Sequence, residues 1–289
     1  MVIRWWHGWT PLVVVPFVVL VFTLPQWPPW AAMWTLALSI YLGCKWLTWR
    51  RTPMPAAPAC AHAGYLLAWP GLDAEAFLSP REPSLEPSPR EWISASIKTA
   101  LGIVVVFGGV RSIPARDLYI VGWVGMIGLV LTLHFGMFHL LSCVWRSAGV
   151  NARPLMKRPL MSTSVGEFWG RWNTAFRDLT HRFLFRPLAP RFGARGAILV
   201  GFLFSGLVHE LVISVPARGG YGGPTLFFGL QGAAIFFERS PIGRRIGLGE
   251  GWKGRLFTML VLVAPVPWLF HGPFVETIIV PFLRAIGAL

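Results

Sequence analysis

The chain has 289 residues, of which 54% are hydrophobic and only 13% are charged, well below the roughly 25% charged residues usual in soluble domains. So few charges could not cover a water-soluble fold of this length, and so many hydrophobic residues exclude a disordered chain. The three cysteines, at positions 44, 60 and 143, form neither a disulfide framework nor a zinc-ligand spacing. The composition therefore favours an all-α, polytopic membrane protein.

The formal net charge is +14, from 26 basic and 12 acidic residues. Such an excess could indicate nucleic-acid binding, but the basic residues lie between apolar runs rather than on one polar face. Basic loops at a membrane surface explain this placement better. The 16 tryptophans, many near the ends of apolar runs, are typical of the aromatic belt of a bilayer protein. We therefore expect a lipid bilayer, and no nucleic acid, as the partner of the chain.

Apolar runs predict a bundle of about seven or eight transmembrane helices in one membrane domain, 1–289. The predicted spans are 11–24, 31–49, 93–110, 118–145, 197–216, 224–238, 256–271 and 274–289. The proline-rich loop 53–91 contains a short apolar piece, 65–70, which we expect at the membrane interface. With the N-terminus inside, Arg4, Lys45 and most arginines fall in inner loops, which predicts a cytosolic N-terminus. A bacterial inner (plasma) membrane would fit this orientation.

The predicted span 197–216 carries two ionisable residues, His209 and Glu210. His209 lies about twelve residues into the span, or roughly 18 Å of helix rise, which places it near the middle of the bilayer. Ionisable residues at this depth are costly unless they face a cavity or a partner. A neutral imidazole is a suitable general base at neutral pH. The plainer alternative is a histidine that only forms hydrogen bonds between helices.

The residues around His209 fit a substrate site. Ser205 and Gly206 stand one helical turn earlier, on the same face, and their small size leaves room for a substrate or for a close helix. Glu210 is turned about 100° away from His209 by the helix geometry. We therefore expect Glu210 to meet an arginine from another segment.

Apolar side chains repeat at helical spacing over 165–183, which predicts one amphipathic helix on the cytosolic side of the membrane. The stripe consists of Val165, Phe168, Trp169, Trp172, Phe176, Leu179 and Phe183. Ser164 with Glu167 predicts a capping box at its start. The plain interpretation is an interfacial helix. In the alternative, Asn173 points into a membrane cavity and the arginines bind phosphates of a coenzyme A thioester.

Four blocks in this order resemble the wax synthase-like branch of the membrane-bound O-acyltransferase (MBOAT) superfamily. The blocks are 134–146, 159–181, 205–210 and 231–238, and they define 134–238 as the expected catalytic core. The resemblance implies an MBOAT-like bundle with an internal tunnel, in which an acyl group passes from acyl-CoA to an alcohol. It also implies that His209 and Asn173 are the catalytic residues. No metal and no cofactor besides the co-substrate acyl-CoA is expected.

The expected function is that of a membrane O-acyltransferase, similar to a long-chain-alcohol O-fatty-acyltransferase, in which a lipophilic alcohol attacks the thioester directly with help from His209. The residues expected to contact substrate are Trp169, Arg171, Trp172, Arg177, Ser205, Gly206, Glu210 and Gln231. One alternative is a short-chain O-acetyltransferase acting on a metabolite or sugar hydroxyl. A second is a proton-coupled transporter with His209 and Glu210 as a relay.

Overall fold

The described residues of the computed structural model are 8–23, 26–53, 56–79, 86–114 and 116–289, and within these ranges the chain is helical and has no strand. The helices are α1 Thr10–Thr23, α2 Pro29–Arg50, α3 Ala59–Ala68, α4 Ala74–Leu78, α5 Pro89–Ser112, α6 Leu118–Ser147, α7 Val165–Arg171, α8 Thr174–Ala217, α9 Gly223–Glu238, α10 Pro241–Arg245, α11 Gly251–Leu269 and α12 Gly272–Ala285. The all-α prediction is therefore confirmed. Arg4, which supports the predicted orientation, lies outside the described residues. So does Leu24, the last residue of the first predicted span.

Three helices of the described chain, α5, α6 and α8, are long and apolar enough to cross a membrane. They become four if α11 and α12, which are bent by 65° at a short break, form one span. The predicted spans 11–24 and 224–238 correspond to helices of 14 and 16 residues. Such helices are about 21–24 Å long, shorter than the roughly 30 Å hydrocarbon core. The apolar helices are those of an integral membrane protein, and the count of seven or eight spans stays a prediction.

The chain divides into two compact units. The first contains the described residues up to Leu155 together with Ile278–Leu289, and the second is Met156–Thr277. The expected catalytic core 134–238 has residues in both units, and the expectation of a single domain stays a prediction. In the first unit α1 packs on α2, and α5 packs on α6.

Lys45 is buried in the first unit, although the sequence placed it in a basic inner loop. It belongs to α2, is 1% exposed, and donates a hydrogen bond from Nζ to the carbonyl oxygen of Gly71 at 2.7 Å. The same Nζ lies 3.4 Å from the centre of the Tyr65 ring, which is itself fully buried. The expectation of an interfacial piece at 65–70 stays a prediction. Within that piece, the Tyr65 ring and the following loop solvate a buried lysine.

Helices α5 and α6 are joined by polar side chains within the first unit. Arg146 donates to the two carboxylate oxygens of Glu91 at 2.9 and 3.4 Å. Lys98 Nζ lies 2.9 Å from Nδ1 of His139, so the imidazole accepts its hydrogen bond. Charged groups in apolar helices are stable when they pair in this way.

Helix α9 is the centre of the second unit, where it contacts α7, α8 and α11. Its residues Ala234 and Ile235 form a buried apolar cluster with Val165 of α7, and Phe202 of α8 packs against that cluster. Gly206 of α8 lies beside Thr225 near the start of α9, and Phe202 lies beside Gly232 further along. The two helices therefore run antiparallel.

Helix α8 contains a sharp break at Gly193, whose φ of 69° and ψ of 168° are not helical. Glycine adopts these angles without the steric cost that a side chain would add. The part of α8 after Gly193 ends at Ala217 and is about 36 Å long, which is enough to span the hydrocarbon core.

Candidate active site

His209 lies in α8 immediately before a π-helical turn, Glu210–Ser214. Its Nδ1 is 2.7 Å from the carbonyl oxygen of Ser205, one helical turn earlier. Because a carbonyl oxygen can only accept, Nδ1 of the neutral ring carries the proton and Nε2 keeps a lone pair. Within the described chain Nε2 has no hydrogen-bond partner. The ring therefore has the tautomer that a general base requires.

An aromatic side chain packs against the half-buried His209 ring. The ring centre of Phe228, on α9, is 4.5 Å from that of His209. Trp169 of α7 packs against Phe228 at 5.5 Å and against Phe202 at 5.8 Å. The predicted substrate residue Trp169 is thus linked to His209 through a single aromatic ring, which gives the imidazole an apolar environment.

Ser205 and Gly206 let α8 approach α9 closely. The Ser205 hydroxyl donates to the carbonyl oxygen of Gly201 at 2.9 Å and is satisfied within its own helix. A Cβ atom on Gly206 would lie 2.8 Å from Cα of Thr225, closer than side chains tolerate. Of the two uses expected for the small residues, room for a substrate and room for a helix, Gly206 serves the second.

Glu210 accepts two hydrogen bonds from Thr225 rather than pairing with an arginine. Both reach Oε1, from the backbone N–H at 3.2 Å and from Oγ1 at 3.1 Å. Thr225 lies in the first turn of α9, where backbone N–H groups lack helical acceptors and attract a carboxylate. Oε2 of Glu210 is buried without a hydrogen-bond partner in the described ranges. The expected arginine partner is therefore wrong, because α9 supplies the donors.

Asn173 ends the regular helix that the apolar stripe predicts over 165–183. It has φ 41° and ψ 64°, a left-handed conformation that asparagine tolerates better than most residues. Its Oδ1 accepts a hydrogen bond from the backbone N–H of Phe176 at 3.3 Å and so caps the start of α8. The prediction of one continuous amphipathic helix is wrong, because this side chain competes with the helix for a backbone donor.

The side-chain amide nitrogen of Asn173, Nδ2, can donate to another acceptor. Its Nδ2 has no hydrogen-bond partner within the residues that the structure describes, and the side chain is half-buried. The backbone N–H of Asn173 contacts Sδ of Met156 at 3.3 Å. In the described structure Asn173 and His209 do not hydrogen-bond to each other.

Helix α7 is fixed at its N-terminus by two carboxylates. Ser164 accepts from the backbone N–H of Glu167 at 3.0 Å, as the predicted capping box requires. The Glu167 carboxylate returns to the N–H of Thr163 at 2.7 Å instead of to Ser164, so only half of the box is confirmed. Glu238 of α9 accepts from Val165 at 2.7 Å and from Gly166 at 3.1 Å. This role of Glu238 was not predicted from the sequence.

The arginines expected to contact substrate are engaged with neighbouring groups. Arg171 forms an ion pair with Glu167, one turn earlier on α7. Arg177 pairs with Asp178 and also donates to the carbonyl oxygen of Gly170, which joins α8 back to α7. The Trp172 ring stacks on Phe168 with the ring centres 5.6 Å apart. These residues therefore hold the α7–α8 connection together.

Gln231 replaces a hydrogen bond that a proline removes. In a regular helix the carbonyl oxygen of Val261 in α11 would accept a hydrogen bond from the backbone N–H of residue 265, but Pro265 has no N–H. Nε2 of Gln231 donates to that Val261 carbonyl oxygen at 3.0 Å, and Oε1 accepts from Nε1 of Trp169 at 3.4 Å. Gln231 is 0% exposed. In this structure it therefore positions Trp169 and α11 and is closed to direct contact with a substrate.

His271 is a buried histidine of this unit that was not predicted from the sequence. Its Nδ1 accepts from the backbone N–H of Phe274 at 3.2 Å, so its proton is on Nε2, which lies 3.2 Å from the Ser214 hydroxyl. Both ring nitrogens are thus used, and the Ser–His contact has the wrong tautomer for a base. Only the Gly-Pro after it, typical of a helix start, hinted at a capping role. No group of three His, Cys, Asp or Glu residues that could hold a metal ion occurs in the described ranges.

The model of the family described as "Membrane bound O-acyl transferase family" matches residues 152–230, which contain both Asn173 and His209. The long-chain-alcohol O-fatty-acyltransferase of Simmondsia chinensis is 30% identical over 149 residues, which cover 45% of this chain and 42% of that protein. The probable long-chain-alcohol O-fatty-acyltransferase 1 of Arabidopsis thaliana is 28% identical over 170 residues, 54% of this chain and 48% of that protein. The chain thus spans about half the length of the curated relatives it matches. By this match and these likenesses, part of the chain is similar to the membrane-bound O-acyltransferase family and to long-chain-alcohol O-fatty-acyltransferases.

Proposed function

We propose that the protein is a membrane O-acyltransferase that moves an acyl group from acyl-CoA to the hydroxyl of a lipophilic alcohol. The observation that carries this proposal is the state of His209, whose Nδ1 is held by the Ser205 carbonyl while Nε2 has no partner among the described residues. The names of the relatives, long-chain-alcohol O-fatty-acyltransferases, supply the expected substrate class. The apolar Phe228 ring that packs against His209 suits lipophilic substrates.

In the proposed reaction, Nε2 of His209 takes the proton of the alcohol hydroxyl while the alcohol oxygen attacks the thioester carbonyl carbon. The new C–O bond forms, the carbon–sulfur bond breaks, and the coenzyme A thiolate takes the proton back from the imidazolium. The products are an ester and free coenzyme A, and the imidazole is again neutral. A positioned general base of this kind typically contributes about 10²–10⁴ in rate. Because the alcohol attacks the thioester directly, no acyl-enzyme is part of the proposal. The Ser205 hydroxyl is bonded within its own helix.

Asn173 is the proposed donor to the carbonyl oxygen of the thioester. Its Oδ1 is fixed by the cap on Phe176, which orients the amide plane, and Nδ2 presents two N–H groups. Donors fixed before the reaction stabilise the charge that develops on a carbonyl oxygen without reorganising. The left-handed backbone at Asn173, which holds the cap in place, thereby also fixes the direction of Nδ2.

The architecture of the whole membrane domain is part of the proposal. We propose seven or eight spans around an internal tunnel, within a single domain 1–289 whose catalytic core is 134–238. The excess of basic residues in alternate loops supports a cytosolic N-terminus and entry of acyl-CoA from that side. A bacterial inner membrane fits the same basic face. No cofactor other than the co-substrate acyl-CoA is part of the proposal.

The test is transfer of an acyl group by membranes that contain the protein. Labelled palmitoyl-CoA and a long-chain alcohol are supplied, and the lipid products are identified by mass spectrometry. A His209→Ala variant is compared with His181→Ala, which removes an exposed histidine from the same helix. We expect a new ester with the wild type and with His181→Ala, and a loss of about 10²–10⁴ in rate with His209→Ala.

Two results would contradict the proposal. Undiminished ester formation by a folded His209→Ala variant would remove the histidine from the chemistry. Failure of the wild type to form an ester from any of a series of acyl-CoAs, from acetyl to palmitoyl, would remove the activity. In that series, a preference for acetyl-CoA and a polar acceptor would identify a short-chain acetyltransferase instead.

A further inference from the structure

A cleft of about 730 Å³ lies in the second unit between the middle of α8 and the end of α9. Three arginines, Arg195, Arg239 and Arg244, are among its lining residues, and the apolar side chains of Ile198 and Phe236 form part of its wall. No acidic residue is among those that line it. The cleft therefore combines three positive charges with a partly apolar surface, which lowers the local dielectric and strengthens binding of an anion.

The three guanidinium groups have no carboxylate partner within the described part of the chain. Nε of Arg244 donates to the carbonyl oxygen of Arg239 at 3.1 Å, which fixes the side chain and leaves its two terminal nitrogens for another acceptor. Elsewhere in the same unit, Arg171 and Arg177 are neutralised by Glu167 and Asp178. Three like charges in one cleft repel one another, so an anion between them is stabilising.

The chemistry of the cleft selects a phosphate among anions. A guanidinium group offers parallel N–H donors that match two oxygens of a phosphate, and its weak hydration makes the exchange of water for phosphate favourable. Three such groups around one cavity suit a dianion or a pyrophosphate better than a single carboxylate. The cavity volume is large enough for a phosphate with part of the molecule that carries it.

The cleft lies at a defined distance from His209, because both are on the same pair of antiparallel helices. Arg195 precedes His209 by fourteen residues of α8, which is about 21 Å of helix rise. On α9, Phe228 contacts the His209 ring, and Arg239 follows Phe228 by eleven residues, or about 16 Å. The arm that joins the pyrophosphate of coenzyme A to its sulfur is about as long as five extended residues, roughly 17 Å.

We propose that the cleft between Arg195, Arg239 and Arg244 is a phosphate-binding site. The phosphate comes either from a coenzyme A thioester whose sulfur reaches His209, a source that rests on the proposed function, or from the headgroup of an anionic membrane lipid. The break at Gly193 lies two residues before Arg195 in α8. Both sources use the same three arginines and differ in what else the ligand must contact.

The test measures binding directly in purified full-length protein held in phosphatidylcholine nanodiscs. Coenzyme A is titrated into the wild type, into Arg239→Gln and into an Arg195→Gln/Arg239→Gln double variant. Arg245→Gln is the matched control, since it removes an exposed arginine next to Arg244 that does not line the cleft. Pantetheine, which lacks every phosphate, is titrated in parallel. A second set of nanodiscs contains phosphatidylglycerol, and co-purified lipid is measured in each variant.

If the source is coenzyme A, its affinity falls about 10- to 100-fold in the cleft variants and is unchanged in Arg245→Gln, as expected for lost charge-assisted hydrogen bonds. Pantetheine then binds all variants alike. If the source is a lipid, coenzyme A binding is unchanged and the cleft variants retain less phosphatidylglycerol. Either result supports a phosphate site. Equal coenzyme A affinity together with equal lipid retention in all variants overturns it.

The outcome for the cleft is separate from the outcome for catalysis. A His209→Ala variant should bind coenzyme A as tightly as the wild type while its rate of acyl transfer falls about 10²–10⁴-fold. If the wild type forms no ester but its coenzyme A or lipid binding still depends on Arg195 and Arg239, the proposed function fails and the phosphate site stands. Thermal unfolding of each variant verifies that it is folded.

Discussion

The carboxylate of Glu238, in the last turn of α9, accepts a hydrogen bond from the backbone N–H of Val165 at 2.7 Å. A residue of α9 thus caps the N-terminus of α7. Gly166 donates to the second oxygen at 3.1 Å. The first backbone N–H groups of a helix have no acceptor within it, and a negative charge there also interacts favourably with the helix dipole. Since Trp169 is carried by α7, Glu238 fixes the aromatic wall beside His209 without touching the imidazole.

We expect Glu238→Ala to lower the free energy of unfolding by about 1–3 kcal/mol, because it leaves buried backbone donors without an acceptor. Thermal unfolding in detergent measures the change. Glu250→Ala, at an exposed glutamate of the same unit, is the control and should have little effect. Equal unfolding temperatures for the two variants would contradict the capping role.

Gln231→Leu should also destabilise the protein by about 1–3 kcal/mol, since the carbonyl oxygen of Val261 then loses its donor inside the core. The loss should shrink when Pro265→Ala is added, because residue 265 then has an N–H that can reach Val261. The measurement is a double-mutant cycle on unfolding free energies. Additive effects of Gln231→Leu and Pro265→Ala would show that the glutamine does not compensate for the proline.

Gly206→Ala should force α8 and α9 apart, because the new Cβ would lie 2.8 Å from Cα of Thr225. Overpacking of this kind costs typically about 1–3 kcal/mol. Gly201→Ala, five residues earlier on the same helix, is the matched control, since its Cβ would meet nothing within 4 Å. That control should be neutral or slightly stabilising, as alanine favours a helix. A well-tolerated Gly206→Ala would argue against the close helix contact.

Asn173→Asp separates the structural role of Asn173 from its proposed catalytic role. Aspartate keeps the capping oxygen and tolerates the left-handed backbone, so the unfolding temperature should be close to that of the wild type. It removes both N–H donors, so turnover should fall about 10²–10³-fold if they stabilise the oxyanion. Asn173→Ala, by contrast, should lose about 1 kcal/mol of capping energy in addition. Full turnover by Asn173→Asp would assign the residue to structure alone.

The sequence predicts which segments are helical better than it predicts where those helices are interrupted. Hydrophobic runs identify α5, α6 and α8, because a sufficiently long apolar run predicts a membrane-spanning helix. The periodic stripe over 165–183 predicts helix on both sides of Asn173, but periodicity does not register one residue in a left-handed conformation. The asparagine itself is the only local signal, since its side chain can replace a helical hydrogen bond.

A site residue can be predicted from the sequence where its side chain is unusual for the segment that carries it. His209 stands out in an apolar span, and the structure gives it a free nitrogen within the described chain. The partners of Glu210, Gln231 and Glu238 depend on which helices are neighbours, and no spacing within one helix reveals this. For Gln231 a signal existed in Pro265, whose missing N–H implies that another donor must serve Val261.

The proton of His209 is placed by the main chain, because the carbonyl oxygen of residue 205 receives it. Every amino acid at position 205 has such an oxygen, so the side chain there can be exchanged without moving the proton to the other nitrogen. What the arrangement cannot tolerate is a change in helical pitch over this one turn. The tautomer of the His209 imidazole is therefore set by the backbone geometry of α8 and not by the side chain at position 205.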